Sequence, residues 1–149
     1  MNHPSRILRL LVAGSLALAP GCAWFQPDPP EYESVEHASG LVVRDLVVPE
    51  SGVTVKDGDT VAVHYDLLLA DRSLVESSTD SGQALRFQVG AGAVPRGLDE
   101  GVIGMRLFGR RRLTVPPSLG FGAEGKPPLV PPDATLIFEV ELMELASRP

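Results

Sequence analysis

Gly90-Ala91-Gly92-Ala93-Val94-Pro95-Arg96-Gly97-Leu98-Asp99-Glu100-Gly101-Val102-Ile103-Gly104-Met105 is the stretch on which the fold of this chain is read. It begins as a glycine-rich turn. It passes into a short helix whose first residue the sequence places at Pro95, because a first-turn N–H has no partner within the helix and its loss costs nothing there. Asp99 and Glu100 lie early in the segment, where the positive end of a helix dipole favours carboxylates. Leu98, Val102 and Met105 recur at i, i+4 and i+7 and form a single apolar stripe. Gly97, Gly101 and Gly104 each cost about 1 kcal/mol relative to alanine in a helix interior, so the segment is a poor helix in isolation. It needs a surface to lie on, and the chain on either side of it reads as strand.

Upstream, residues 41–48 form a β-branched run closed by Pro49-Glu50-Ser51-Gly52. After the turn Lys56-Asp57-Gly58-Asp59, the residues Val61, Val63, Tyr65, Leu67 and Leu69 alternate with Ala62, His64, Asp66 and Leu68, the period of a strand with one face in a core. Residues 75–78 read as extended chain and Thr79-Asp80-Ser81-Gly82 as a turn into the alternating Leu85, Phe87 and Val89. Downstream, residues 110–115 are a strand. Residues 116–132, carrying Pro116-Pro117, Pro127-Pro128 and Pro131-Pro132, are a long loop of the kind that is usually functional. In residues 134–145, Leu136, Phe138, Val140 and Leu142 face inward while Glu139 and Glu141 face water. The expected fold is α+β, an antiparallel five-stranded half-barrel sheet wrapped around one short helix.

A chain of 149 residues is large enough for one domain with a real core. A formal charge of −6 gives no basic surface for nucleic acid, and a single cysteine excludes an internal disulfide and a multi-cysteine metal site. Arg6 and Arg9 flank the start of an apolar run, residues 10–19, shorter than the roughly 20 residues that span a bilayer, and this has the form of a signal peptide over 1–21. The run ends in Leu18-Ala19-Pro20-Gly21-Cys22, which resembles a bacterial lipobox. That resemblance implies acylation of Cys22, a membrane anchor, and, with Ala23 next, sorting to the outer membrane on the periplasmic side of the envelope. Residues 22–40, proline-rich and acidic, read as a semi-extended linker to a domain over 41–146.

The chemistry on offer is sparse. There is no Ser–His–Asp order, no His/Cys metal spacing and no phosphate loop, and Asp66 and Glu76 make no evident carboxylate pair. His64 alternates away from the core face. Arg110-Arg111-Arg112, inside a short strand, spreads over both faces. What remains is an apolar concavity, which can bind a peptide or can catalyse by environment alone.

Val61-Ala62-Val63-His64-Tyr65, Val75-Glu76-Ser77-Ser78, Val94-Pro95-Arg96-Gly97-Leu98-Asp99-Glu100-Gly101 and Arg111-Arg112-Leu113-Thr114-Val115-Pro116-Pro117 occur in that order, followed by Leu119-Gly120-Phe121-Gly122 and Pro131-Pro132-Asp133-Ala134-Thr135-Leu136-Ile137-Phe138-Glu139-Val140-Glu141-Leu142. In order and spacing they resemble an FKBP-type peptidyl-prolyl cis-trans isomerase over about residues 40–145. The resemblance implies rotation of Xaa-Pro bonds with no cofactor or metal, acting on unfolded or extended proteins, by a monomer. It places catalytic roles on Tyr65, Glu76, Val94, Leu98, Phe121 and Phe138, and substrate contact on Val75, Leu85, Pro95, Leu129 and Val130. Against the family pattern, Val75 and Leu85 replace Phe, Glu76 replaces Asp, Leu98 replaces Trp and Phe121 replaces Tyr, while Pro95 falls where the family has a backbone N–H donor. Those departures imply reduced activity and poor affinity for the family's macrolide inhibitors. The alternative is a non-catalytic peptide-binding or chaperone module on the same fold.

Overall fold

The computed structural model describes residues 32–147. The proposed signal peptide, Cys22 and the linker as far as residue 31 lie outside these residues. The elements run β1 (Ser34–Glu36), β2 (Val42–Val47), β3 (Thr60–Leu69), β4 (Leu74–Ser77), α1 (Ser78–Ser81), β5 (Leu85–Gln88), α2 (Arg96–Gly101), β6 (Arg110–Val115), a 3-10 turn (Pro117–Leu119) and β7 (Leu136–Ala146).

All strand pairings are antiparallel, in the order β1-β2-β6-β7-β3-β4, with β5 on the same edge of β3 as β4. The sheet therefore has seven strands where the sequence pattern suggests five. One addition is β1, inside the segment read as linker: Ser34 pairs with Arg44 and Glu36 with Val42, covering backbone groups that β2 would otherwise leave as an open edge. The other arises because β3 is long enough to hold two short partners end to end. Its first half pairs with β5, Val61 opposite Phe87, and its second half with β4, Leu67 opposite Glu76. Between those partners the expected turn at 79–82 is the one-turn helix α1. The Ser77 hydroxyl accepts from the Asp80 N–H, and Gly82 closes the turn at φ +69, a left-handed conformation that costs glycine little. A register shift between Ala62 and Val63 against β7 bends the central pair.

The inner face carries Val61, Val63, Leu67, Leu113, Val115, Leu136, Phe138, Val140 and Leu142, all buried. Across it lies α2, with Leu98 at 1% exposure. The helix stops at Gly101, so of the expected stripe Val102 is its C-terminal cap and Met105 lies beyond the next turn, both still buried at 0% and 2%. Its glycines explain how so poor a helix is held. A Cβ on Gly97 would stand 2.4 Å from Val115 Cγ1, and one on Gly101 would stand 2.4 Å from Leu113 Cδ1. The glycines bring the helix backbone directly onto β6, and the burial of its stripe offsets its low propensity. Pro95 is the residue before the helix rather than its first residue: its φ of −53° and ψ of 138° are not helical, and its carbonyl accepts from the N–H groups of Leu98 and Asp99.

Candidate functional site

Side chains from β3, β4, β5, α2, the 116–135 loop and β7 meet in one core cluster. Tyr65, Val75, Leu85, Val94 and Phe121 are half-buried and pack against the core cluster, which includes buried Leu98, Val130 and Phe138. Alternation along β3 aims Tyr65 to the same side as Val63 and Leu67, and alternation along β7 brings in Phe138. The two rings lie 6.1 Å apart, tilted by 50°, within the separation at which aromatic pairs attract. Tyr65 is half-exposed where its inward-facing neighbours on β3 are buried.

A polar rim borders this apolar wall. The Tyr65 hydroxyl donates to Glu76 Oε1 at 2.6 Å, and Glu76 Oε2 lies 3.6 Å from the Lys126 ammonium. That ammonium in turn stands 5.6 Å from the centroid of the Phe121 ring. Loss of water around the Tyr65 hydroxyl, then its bond to the Glu76 carboxylate and that group's charge, push its pKa up to about 12. The folded chain holds this proton to higher pH than the unfolded chain does. The stability it contributes is therefore whole below pH 10 and is lost as pH rises from 10 through about 12. Phenolate absorbance is expected to show a step near pH 12 in the wild type that is absent from Tyr65→Phe; identical titrations of the two proteins would disprove the contact.

Of the residues singled out from sequence, Leu98, Val130 and Phe138 are in the core cluster, Tyr65, Val75, Leu85, Val94 and Phe121 pack against it half-buried, and Glu76 borders it through Tyr65. Pro95 is half-buried at the foot of α2 and offers no N–H. Leu129 stands apart, 58% exposed on the loop. A separate open cleft of about 460 Å³ shares only Val94 with this set. Its border of Asp57, Asp99, Glu100 and Arg96 is charged and ill suited to a prolyl ring.

Sequence reasoning missed two contributors. Lys126, in the loop, closes the rim, and only the pairing of its ammonium with Glu76 reveals it. Arg111 does not join a basic patch. Its guanidinium binds Asp45 Oδ1 at 2.6 Å and the carbonyls of Gly101 and Ile103, each at 2.9 Å, and so holds the C-terminal end of α2 beneath the wall. Its neighbours on β6 point the other way, Arg112 to Glu139 and Arg110 towards Glu141. His64 is on the outer side, where its Nδ1 lies 3.1 Å from the Ser78 hydroxyl, which also accepts from the Tyr65 N–H.

Residues 52–143 match the family model described as FKBP-type peptidyl-prolyl cis-trans isomerase. Among curated proteins, the chain is 43% identical over 108 residues to "FK506-binding protein 1A" of Aspergillus fumigatus, covering 72% of this chain and 96% of that protein. It is 42% identical over 106 residues to "FK506-binding protein" of Neisseria meningitidis serogroup B, covering 71% and 96%. Among solved structures, that of AtFKBP13 superposes with a TM-score of 0.70 at 31% identity, over 76% of this chain and 99% of that one. FkpA from Escherichia coli superposes at 0.69 and 34% identity, over 78% of this chain and 53% of that one.

Proposed function

Because the chain belongs to the FKBP-type peptidyl-prolyl cis-trans isomerases, we propose that it accelerates Xaa-Pro rotation in unfolded or extended proteins of the bacterial cell envelope, as a monomer of reduced activity tethered to the outer membrane through acylated Cys22. The observation that carries the reading is the half-buried apolar wall of Tyr65, Val75, Leu85, Val94 and Phe121 around the Tyr65–Phe138 ring pair.

Amide resonance sets a rotation barrier of about 18–20 kcal/mol and leaves an unassisted Xaa-Pro bond tens to hundreds of seconds to isomerise. No bond is broken on the way. In the twisted amide, resonance is lost and the group is less polar than the planar one. A wall made of Val75, Leu85, Val94, Phe121 and the Tyr65 and Phe138 rings receives the prolyl ring, and leaving water there costs the more polar planar amide more than it costs the twisted one. Acceleration follows from binding the twisted state better than either planar one.

The reduced rate follows from the side chains present. Val75 and Leu85 supply less ring area than aromatic residues, and Phe121 and Pro95 supply no donor. Each loss weakens transition-state binding by about 1 kcal/mol. Exchange NMR on an Ala-Leu-Pro-Phe-type peptide with the purified mature chain reads binding and turnover separately. Faster cis/trans exchange at a rate constant well below that of a strong isomerase is expected. Binding without faster exchange would favour the peptide-holding alternative, and a rate constant within tenfold of a strong isomerase would refute the reduced rate. For the tether, Cys22→Ala is expected to move the protein from the membrane to the soluble fraction; unchanged partitioning would rule the anchor out.

A further inference from the structure

We propose that Lys126 is a substrate-binding residue of this isomerase, its ammonium donating a hydrogen bond to a peptide carbonyl adjacent to the rotating bond. The proposal rests on the isomerase reading of the pocket and adds to it a polar contact on the substrate.

A peptide that settles on an apolar wall brings carbonyl groups that lose water and need donors. The lining side chains of Val75, Leu85, Val94, Leu98, Val130, Phe138 and Phe121 carry none, and Pro95 has no N–H to offer. The Tyr65 hydroxyl already donates its hydrogen bond to Glu76, and the Glu76 carboxylate only accepts. An ammonium carries three N–H groups, and the contacts of Lys126 are one Glu76 oxygen at 3.6 Å and the Phe121 ring face at 5.6 Å. It is the lining side chain with donors to spare.

Its root is fixed as well. The Lys126 N–H donates to the Val130 carbonyl and the Val130 N–H to the Lys126 carbonyl, both at 2.9 Å, and Val130 is 1% exposed. The Glu76 charge and the Phe121 ring hold the ammonium from one side, and the rest of this half-exposed side chain faces water that a peptide carbonyl can replace. Which carbonyl it meets follows from the chemistry of rotation. A donor on the oxygen of the rotating amide would favour the planar, resonance-stabilised form and slow the step. A donor on a neighbouring peptide, which stays planar throughout, binds ground and transition states alike. Such uniform binding lowers KM and leaves kcat unchanged.

The test compares the full mature chain with Lys126→Met and Lys126→Arg, and with Phe121→Tyr in both the wild-type and Lys126→Met backgrounds. Saturable exchange of the Leu-Pro peptide gives KM and kcat, and chemical-shift titration gives Kd. Lys126→Met is expected to raise KM and Kd about tenfold at unchanged kcat, the scale of one charge-assisted hydrogen bond. Lys126→Arg should restore most of the affinity. Phe121→Tyr, which places a hydroxyl beside the vacated donor position, should improve KM more in the Lys126→Met background than in the wild type. Unchanged KM and Kd in Lys126→Met, or a fall in kcat alone, would overturn the assignment, as would an equal effect of Phe121→Tyr in both backgrounds. A wild type that binds peptide without accelerating exchange would refute the isomerase reading instead, while the Kd values still decide the role of Lys126.

Discussion

Phe138→Ala is expected to lower the unfolding free energy by about 3–5 kcal/mol and to remove measurable isomerisation, the largest effect of any substitution at the site. Phe138 sits midway along β7, opposite Leu67 of β3 and Leu113 of β6, so its ring fills the centre of the sheet's inner face. It is 2% exposed and close-packed within the core, so truncation removes contacts that its neighbours recover only in part. A loss of that size is a large share of the roughly 5–15 kcal/mol that holds a domain together. Urea denaturation is the measurement: a midpoint shift worth less than about 1 kcal/mol would show that the site relaxes. Phe138→Leu separates fold from function, because it keeps most of the volume but loses the ring that meets Tyr65, an aromatic pair worth about 0.5–1.5 kcal/mol beyond its area. It should fold, with a thermal midpoint within several degrees of wild type, and turn over more slowly.

Gly97→Ala is expected to destabilise the chain by about 1–3 kcal/mol, against the sign that helix propensity alone would give. In a free helix the change gains about 1 kcal/mol. Here the added methyl would lie 2.4 Å and 2.8 Å from the two Val115 methyls and 3.1 Å from its Cβ, and Val115 is fully buried on β6. Either the helix lifts off the sheet or Val115 leaves its rotamer. Both loosen Leu98 under the wall, so KM should rise along with the loss of stability. Thermal unfolding and the exchange assay on the same samples check it. Shortening the partner should relieve the clash: in a Val115→Ala background the penalty of Gly97→Ala should shrink, a favourable coupling that a double-mutant cycle measures directly. A stabilised Gly97→Ala protein would mean that the helix does not approach the sheet as closely as described.

The fold's skeleton was readable from local pattern because period and burial are properties of neighbouring residues. The alternation of Val61 to Leu69 and of Leu136 to Leu142 specified which side of each strand is inside, and the stripe Leu98, Val102 and Met105 picked out residues that are all buried although the helix itself ends at Gly101. Tyr65, Leu98 and Phe138 join one core cluster because each lies on an element whose inward face is set by that pattern, and Val75, Leu85, Val94, Phe121 and Val130 belong to or pack against the same cluster. Leu129 departs from this. A loop has no period to fix its direction, and the residue points outward at 58% exposure.

What the chain determined by itself was thus its antiparallel strands, its one seated helix, its proline-rich loop and the apolar chemistry of its pocket. Only the tertiary structure decided that Ser34–Glu36 belongs to the sheet, that β3 divides one edge between β4 and β5, and that Arg111 reaches Asp45, 66 residues away in sequence, to hold the end of α2. It alone decided that the glycines of the opening stretch are there for close approach to Val115 and Leu113, and that Lys126 closes a rim with Glu76 and Tyr65. The physical reason is common to all of these. Backbone edges, close helix–sheet contacts and ion pairs depend on strand register and loop course, which bring together residues whose separation along the chain carries no periodic signal.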